Sequence, residues 1–438
     1  MRAKDYFLGK RIAVIGIGPH GEMLSDIKFL VKANALVSVY DMRSEARLIG
    51  HLSSLRSFGL ANQVLSSIPA GDLMDMDLII LSHDYPRNSS FLAEARKNGI
   101  EIEYPETLFL KLAPPVSVIG VMGACGKATV ISMLAPMLED ACAKNNQLCV
   151  TLDPESEDGI ISHLKKVKTG DIVVMRVVPK MMPEITALKW SPQVAVFTTI
   201  PSEISFKESA FEIIGYQTYN NYVIGNDLTI DAVRSSGFQS KAKMLRTKSA
   251  IVPEDWLPNA RTPHDRENAA LALEAARIFK VSDEVAMAVL SEWKPLKGHL
   301  ELVKKLKNIE FVNDSASTSP ISTVANMAVL SANKNLVLIF GGADQGSDYG
   351  AFYAAVKEYI HTLVAIPGSG TLKERPALRR MENVTVLSAP SLEEAVRQAR
   401  DHAKKGDKVL FSPAFEACGI DASRKERGER FVRAVRAL

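Results

Sequence analysis

The sequence predicts an α/β protein whose strands form parallel sheets. Short apolar runs alternate with stretches of helical period, which is the pattern of repeated strand–helix–strand units. Two glycine-rich loops, beginning at Gly16 and Gly120, each follow a strand and open a helix. This arrangement is typical of phosphate-binding α/β domains. The predicted strands are residues 11–15, 37–40, 78–81, 116–121, 172–175, 194–198, 336–340, 362–366 and 408–412.

The chain length allows several domains. Its 438 residues correspond to two to four domains at roughly 100–200 residues each. Proline-containing segments at residues 113–115 and 293–298 divide the chain. We therefore predict three domains: a Rossmann-like domain at 1–113, a P-loop ATPase-like domain at 114–294 and a second Rossmann-like domain at 295–438.

The composition argues against several classes of function. Lys and Arg total 53 and Asp and Glu total 50, so the net charge of +3 is too even for a nucleic-acid or membrane-surface binder. The four cysteines lack the paired spacing of a zinc site or a disulfide framework. No apolar run approaches the ~18 residues of a membrane span, and the N-terminus lacks a signal-peptide pattern. We expect a cytoplasmic protein, and a monomer.

The first glycine loop lies between the first predicted strand and an amphipathic stretch that ends at Lys32. Glycines there permit a tight turn and let the backbone approach a phosphate at a helix N-terminus. Asp41 closes the second strand, where a dinucleotide-binding fold places a ribose-binding acid. Two alternatives stay open: a tight turn that binds nothing, and an NAD(P) site, which leaves the second loop unexplained. The candidate ligand-binding residues are Gly16, Gly18, Pro19, His20, Gly21 and Asp41.

The second glycine loop, at residues 120–129, is close to the pattern G-x-x-x-x-G-K-[ST]. In such a loop the backbone N–H groups cradle phosphates, and a lysine, here Lys127, supplies a point charge. The hydroxyl that normally follows the lysine is replaced by Ala128, so Thr129 is the candidate metal ligand. A glycine turn that only caps a helix is the simpler alternative.

Further motifs follow the two loops in a fixed order. Residues 264–268 read H-D-R-E-N, 313–315 read N-D-S, 341–344 read G-G-A-D, 412–414 read S-P-A and 427–428 read R-G. This order resembles the Mur ligases through nearly the whole chain, and the subfamily that adds D-glutamate is the most similar. Mur ligases are three-domain enzymes that join an amino acid to a UDP-sugar peptide at the expense of ATP.

The resemblance implies a site drawn from all three predicted domains. It implies that the first loop and Asp41 bind the UDP part of UDP-N-acetylmuramoyl-L-alanine, and that ATP arrives with Mg²⁺. The implied ATP-binding residues are Gly123, Ala124, Cys125, Gly126, Lys127, Ala128, Thr129, Asn268 and Asp314. The implied catalytic residues are Lys127, His264, Asp314 and Lys207. The implied amino-acid-binding residues are Gln345, Ser412 and Ala417.

Several positions depart from the family pattern where the chemistry needs charge or a metal ligand. Ala128 stands where the P-loop usually carries a hydroxyl, and Arg176 stands where a strand glutamate of the family holds Mg²⁺. We expect Arg176 to pair with a phosphate instead. Ala316, Gln345 and Ala417 replace two lysines and a serine of the family pattern.

The lost cations leave two hypotheses open. Acyl-phosphate formation gathers negative charge, and losing one stabilising donor commonly costs ~10²–10³ in rate. The first hypothesis is an ATP-dependent amide ligase that works through an acyl phosphate in peptidoglycan precursor synthesis. The second is a non-catalytic homologue that binds nucleotide or UDP-sugar without turnover. The candidate replacement cations are Arg176, Lys180, Arg266 and Lys297.

Overall fold

The computed structural model describes residues 3–18, 21–83, 85, 89–123, 125–178, 181–199, 210–238, 240–331, 333–344, 347–417 and 424–438. The chain forms two compact units. One comprises Met1–Pro258 and His264–Trp293, and the other comprises Asn259–Pro263 and Lys294–Leu438. The predicted α/β fold with parallel sheets is confirmed, whereas the division into three domains stays a prediction.

The first sheet of the first unit has five parallel strands in the order β3-β2-β1-β4-β5. The chain order reverses on either side of β1, and such a reversal opens a ligand-binding crevice at the carboxyl ends of the strands. The strands are β1 (Arg11–Ile15), β2 (Leu36–Asp41), β3 (Asn62–Leu65), β4 (Leu78–Leu81) and β5 (Glu101–Glu103). The helices are α1 (Ala3–Phe7), α2 (Leu24–Lys32), α3 (Glu45–Ser57), α4 (Ala70–Leu73), α5 (Ser90–Lys97) and α6 (Pro105–Leu112).

The second sheet of this unit has six parallel strands in the order β11-β10-β9-β6-β8-β7. The strands are β6 (Ser117–Met122), β7 (Cys149–Leu152), β8 (Ile172–Arg176), β9 (Val194–Phe197), β10 (Tyr222–Gly225) and β11 (Lys243–Arg246). The helices are α7 (Lys127–Lys144), α8 (Met182–Ala187), α9 (Asp227–Ser235), α10 (Pro263–Ile278) and α11 (Asp283–Glu292). Short 3₁₀ turns span Ile161–Lys165, Glu212–Ile214, Ser249–Ile251 and Glu254–Trp256.

Helix α7 is longer than the sequence indicates. The predicted helix spans residues 130–138, but α7 begins at Lys127 and passes through Pro136 to Lys144. Its buried residues continue to Cys142. Packing of this apolar face therefore outweighs the local cost of a proline, because tertiary context routinely overrides intrinsic propensity.

A buried carboxylate joins the segments that carry the two sheets of the first unit. Asp26 on α2 is 1% exposed and accepts hydrogen bonds from the amides of Ile160 at 2.9 Å and Ser162 at 2.8 Å. Ser25 adds a hydrogen bond to the carbonyl of Glu157 at 2.8 Å. Burial raises the pKa of Asp26 to about 7, although the amides act in the opposite direction.

The second unit contains one six-stranded sheet in the order β12-β13-β17-β14-β15-β16. Its strands are parallel except for the β12–β13 hairpin, whose turn residues Lys307 and Asn308 have φ of 47° and 66°. Two successive positive φ values match the twist of a tight hairpin. The strands are β12 (Glu301–Leu306), β13 (Ile309–Asn313), β14 (Leu336–Phe340), β15 (Ile360–Ala365), β16 (Thr385–Ser388) and β17 (Lys408–Phe411). The helices are α12 (Pro320–Leu330), α13 (Gly350–Tyr359), α14 (Ser369–Leu378), α15 (Leu392–His402) and α16 (Arg424–Arg436).

Candidate functional site

The first glycine loop lies at the carboxyl end of β1, where the strand order reverses. Gly16, Gly18 and Gly21 have φ of 79°, 79° and 81°, a left-handed conformation that favours glycine. A Cβ placed on Gly16 would lie 2.7 Å from the ring of Tyr85. The loop is therefore shaped by both conformation and close packing. Pro19 and His20 lie outside the described residues.

Asp41 holds an arginine beside this loop. Its carboxylate accepts hydrogen bonds from the Ile17 amide at 3.1 Å and from Arg43 Nη2 at 2.6 Å. Burial acts to raise the pKa of Asp41, but the hydrogen bonds from Arg43 and Ile17 outweigh it, so this pKa lies below its usual range. Arg43 also donates to the Gly18 carbonyl at 3.2 Å. The proposed ribose acid is thus buried against Arg43, a loop residue that sequence reasoning missed although it follows Asp41 by two positions.

The second glycine loop connects β6 to α7. Gly123 and Gly126 have φ of 143° and 88°, and Lys127 is the first residue of α7. The Lys127 ammonium donates to the Gly123 carbonyl, so it folds back over the loop. The predicted phosphate cradle therefore lies at a helix N-terminus, where backbone N–H groups favour an anion. Ala124 lies outside the described residues.

Thr198 supports this loop from the neighbouring strand end. Its hydroxyl donates to the Cys125 carbonyl, and its oxygen is also 3.2 Å from the Met122 carbonyl. A Cβ on Gly123 would lie 2.0 Å from the same hydroxyl. The sequence contains no local signal for this contact, because Thr198 follows β9 and reaches the loop only through the pairing of β9 with β6.

Two predicted nucleotide residues lie on α10. Asn268 packs against the second loop, since a Cβ on Gly126 would lie 2.5 Å from Asn268 Oδ1. His264, one turn earlier, lies 3.1 Å from Glu267 Oε2, and this hydrogen bond raises the pKa of His264. The structure thus brings Asn268 to the P-loop, while a catalytic role for His264 stays a prediction.

The expectation that Arg176 pairs with a phosphate is not supported. Arg176 Nη1 lies 3.2 Å from Asp153 Oδ1, and Nη2 lies 2.9 Å from Glu155 Oε1. Nη1 also contacts the second oxygen of Glu155. The guanidinium is therefore committed to two carboxylates that follow the neighbouring strand β7. Thr129, the predicted metal ligand, is buried in the first turn of α7.

In the second unit, Asp314 is held inside the protein. The Ser412 hydroxyl donates to Asp314 Oδ2 at 2.7 Å and is 2.8 Å from the Thr323 hydroxyl, and Asn326 donates to Asp314 at 2.9 Å. Burial raises the pKa of Asp314 to about 6. Ser412 is fully buried and its hydroxyl supports Asp314, and its role as an amino-acid contact stays a prediction.

Asp344, in the loop after β14, has a cationic partner that the sequence did not reveal. Asp344 pairs with Lys373 of α14, with Nζ 2.7 Å from Oδ2. Ala417 is half-buried after β17 and stays a predicted amino-acid contact. Gln345 and the predicted catalytic Lys207 lie outside the described residues.

The described residues offer no preformed metal centre and no membrane helix. Among them, no group of three or more His, Cys, Asp or Glu side chains could hold a metal ion. No helix in the described part of the chain is long and apolar enough to cross a membrane.

The chain is similar to proteins of known family. Residues 298–415 match the Mur ligase glutamate ligase domain. The chain is 26% identical to the UDP-N-acetylmuramoylalanine–D-glutamate ligase of Clostridioides difficile (strain 630), over 97% of both chains. It is also 26% identical to the enzyme of that name from Desulfosudis oleivorans, over 98% of this chain and 96% of the relative. The matched segment and the full-length similarity together support a Mur ligase.

Solved Mur ligase structures share the fold of this chain. A murein peptide ligase from Psychrobacter arcticus 273-4 has a TM-score of 0.60 at 13% identity, covering 98% of this chain and 99% of that one. The UDP-N-acetylmuramate-alanine ligase MurC from Thermotoga maritima has a TM-score of 0.59 at 15% identity, with the same coverage. This likeness establishes the Mur ligase fold along the chain. Over its full length the sequence is similar to relatives named UDP-N-acetylmuramoylalanine–D-glutamate ligase, so the chain is MurD-like.

Proposed function

We propose that this Mur ligase is an ATP-dependent amide ligase that adds D-glutamate to UDP-N-acetylmuramoyl-L-alanine in peptidoglycan precursor synthesis. The observation that carries the proposal is the second glycine loop, with its left-handed Gly123 and Gly126 and with Lys127 at the start of α7. The full-length similarity to relatives named for this reaction supports the choice of substrates.

The proposed reaction has two steps. A carboxylate oxygen of the UDP-sugar substrate attacks the γ-phosphorus of ATP, ADP leaves and an acyl phosphate forms. The amine of D-glutamate then attacks the acyl carbon, loses a proton and expels phosphate. Such chemistry depends mainly on positioning and electrostatic stabilisation of the transferring group.

The described residues supply parts of that stabilisation. The amides of the second loop and Lys127 hold the phosphates of ATP, and Asn268 borders the same loop at Gly126. Thr198 holds the loop through the Cys125 carbonyl, which keeps the amides in one arrangement. A preformed loop has little reorganisation to undergo when charge develops, which is the main source of electrostatic catalysis.

The described residues do not fit a Mg²⁺ ion held by the protein beside the P-loop. Mg²⁺ requires near-octahedral oxygen coordination, commonly from one or two carboxylates and substrate phosphates. Ala128 offers no hydroxyl and Thr129 is buried. Arg176 occupies the adjacent strand end. The proposed steps therefore assign no role to a metal held by these residues.

A non-catalytic homologue that binds nucleotide or UDP-sugar is the second candidate. The observation that favours it is the pairing of Arg176 with Asp153 and Glu155. This pairing removes Arg176 from the cations available to stabilise a transferring phosphoryl group.

Phosphate release from ATP separates the two candidates. The protein is incubated with ATP, Mg²⁺, UDP-N-acetylmuramoyl-L-alanine and a panel of amino acids. We expect phosphate release that requires both the UDP-sugar and D-glutamate, with an equal amount of ligated product by mass spectrometry. Binding of ATP and UDP-sugar without release for any amino acid would reject the ligase and support the non-catalytic homologue.

Lys127→Ala tests the phosphate cradle directly. We expect weaker ATP binding by calorimetry and a rate lowered by ~10²–10³, the usual effect of losing one stabilising donor. Lys144→Ala is a matched control at the other end of α7, where Lys144 pairs with Asp140 on the surface, and it should change neither quantity. Equal ATP affinity in Lys127→Ala and the parent would show that this loop is not a phosphate site.

A further inference from the structure

A guanidinium and two carboxylates meet at the carboxyl edge of the second sheet. Arg176 ends β8 and Asp153 directly follows β7, and the register pairs Leu152 with Met175, so the two side chains leave adjacent strands at the same level. Arg176 Nη1 lies 3.2 Å from Asp153 Oδ1, and Nη2 lies 2.9 Å from Glu155 Oε1. The Glu155 amide donates to Asp153 at 3.0 Å, which ties the two acids into one turn.

This cluster borders the strand that leads into the P-loop. Arg176 pairs in register with Val121 of β6, two residues before Gly123. The Arg176 side chain is only 13% exposed, so the guanidinium is largely enclosed. One positive charge against two negative charges leaves a net charge of −1. The guanidinium therefore offsets part of the negative charge of the two acids.

We propose that the Arg176 guanidinium is a built-in cation that fills this edge in place of a divalent metal ion, with Asp153 and Glu155 as its carboxylate ligands. A planar guanidinium binds carboxylates bidentately and always keeps its charge, so it offsets one of the two acid charges without an exchangeable ion. It follows that the P-loop binds nucleotide without a metal held at this edge. The inference rests on the proposed function only in taking the P-loop as a nucleotide site.

Titration with Mn²⁺ alone tests the built-in cation, because it needs neither nucleotide nor turnover. Free Mn²⁺ is followed by electron paramagnetic resonance. The parent should show no site at the cluster. Arg176→Gln removes the guanidinium from both carboxylates and should raise Mn²⁺ affinity at least about tenfold. Adding Asp153→Asn to this variant should abolish the gain.

Two variants control for folding and for acidic surfaces in general. Arg176→Lys keeps a positive charge between the acids and should bind Mn²⁺ like the parent. Arg246→Gln, on the edge strand β11, also removes the partner of two carboxylates, Asp227 and Asp231 of α9, which are 51% and 64% exposed. It should gain no site, because these carboxylates are not held in place. An equal gain in Arg246→Gln would overturn the inference, and so would no gain in folded Arg176→Gln.

ADP affinity in EDTA and in Mg²⁺ gives a second readout. The parent should bind ADP equally in both within about threefold, whereas Arg176→Gln should bind at least about tenfold more tightly with Mg²⁺. Loss of parent binding in EDTA would overturn the inference. A parent that binds no ADP in either condition would contradict the proposed function, and the Mn²⁺ titration would still decide the role of Arg176.

Discussion

Gly159→Ala should disrupt the hydrogen bonds by which Asp26 of α2 joins the segments that carry the first two sheets. Gly159 has φ of 71°, and a Cβ placed on it would lie 2.5 Å from Asp26 Oδ1. That oxygen accepts hydrogen bonds from the amides of Ile160 and Ser162 at 2.9 and 2.8 Å. Gly159→Ala therefore has to displace the buried carboxylate from both amides.

Two costs add in this variant. A non-glycine residue in the left-handed region costs about 1–2 kcal/mol. Each buried amide that loses its partner costs about 1–3 kcal/mol more. The free energy of unfolding should therefore fall by about 3 kcal/mol or more. Gly237→Ala is the matched control, since Gly237 has φ of 80° and nothing within 4 Å of an added Cβ. It should lose only about 1–2 kcal/mol.

Urea denaturation followed by tryptophan fluorescence measures the difference. The three tryptophans, Trp190, Trp256 and Trp293, all lie in the first unit. In an Asp26→Ala background the clashing oxygen is gone, so the excess cost of Gly159→Ala over Gly237→Ala should disappear. The reasoning is refuted if the two glycine variants lose equal stability, or if the excess persists without the Asp26 carboxylate.

Three further predictions concern pH and the two loops. The pKa of Asp26 is raised from 3.8 to about 7, so the folded protein binds this proton more tightly than the unfolded chain does. The free energy of unfolding, relative to that of Asp26→Asn, should therefore fall as the pH rises through that range, by up to about 1.4 kcal/mol per pH unit. Urea denaturation at several pH values would contradict this if the slope were zero or positive. Gly18→Val should weaken UDP-sugar binding without changing ATP binding by calorimetry, because a Cβ at Gly18 would lie 2.0 Å from Glu22 Oε2 and force that side chain to move; unchanged UDP-sugar affinity in a folded variant would make this loop purely structural. Thr198→Val should weaken ATP binding about tenfold, because the Cys125 carbonyl loses its donor, and an unchanged affinity would show that the P-loop keeps its shape without this bond.

Much of the architecture could be predicted from the sequence. The runs at 11–15 and 78–81 coincide with β1 and β4, because a short run that is apolar apart from Arg11 is typical of a strand buried on both faces. Both glycine loops could be found because the positive φ angles at Gly16 and Gly126 select glycine directly in the sequence. Lys127 could be predicted as well, because it directly follows Gly126, the last glycine of the second loop.

Side-chain partners were decided by the tertiary structure alone. The Asp153 and Glu155 partners of Arg176 are 23 and 21 residues away in the chain, and Ser412 reaches Asp314 across 98 residues. Such contacts depend on which strands are neighbours, and that order is fixed by packing of the whole sheet rather than by local pattern. The sequence by itself therefore indicated both glycine loops and nine of the seventeen strands in the described residues. Only the folded sheet could turn Arg176 from an expected phosphate ligand into the partner of two carboxylates.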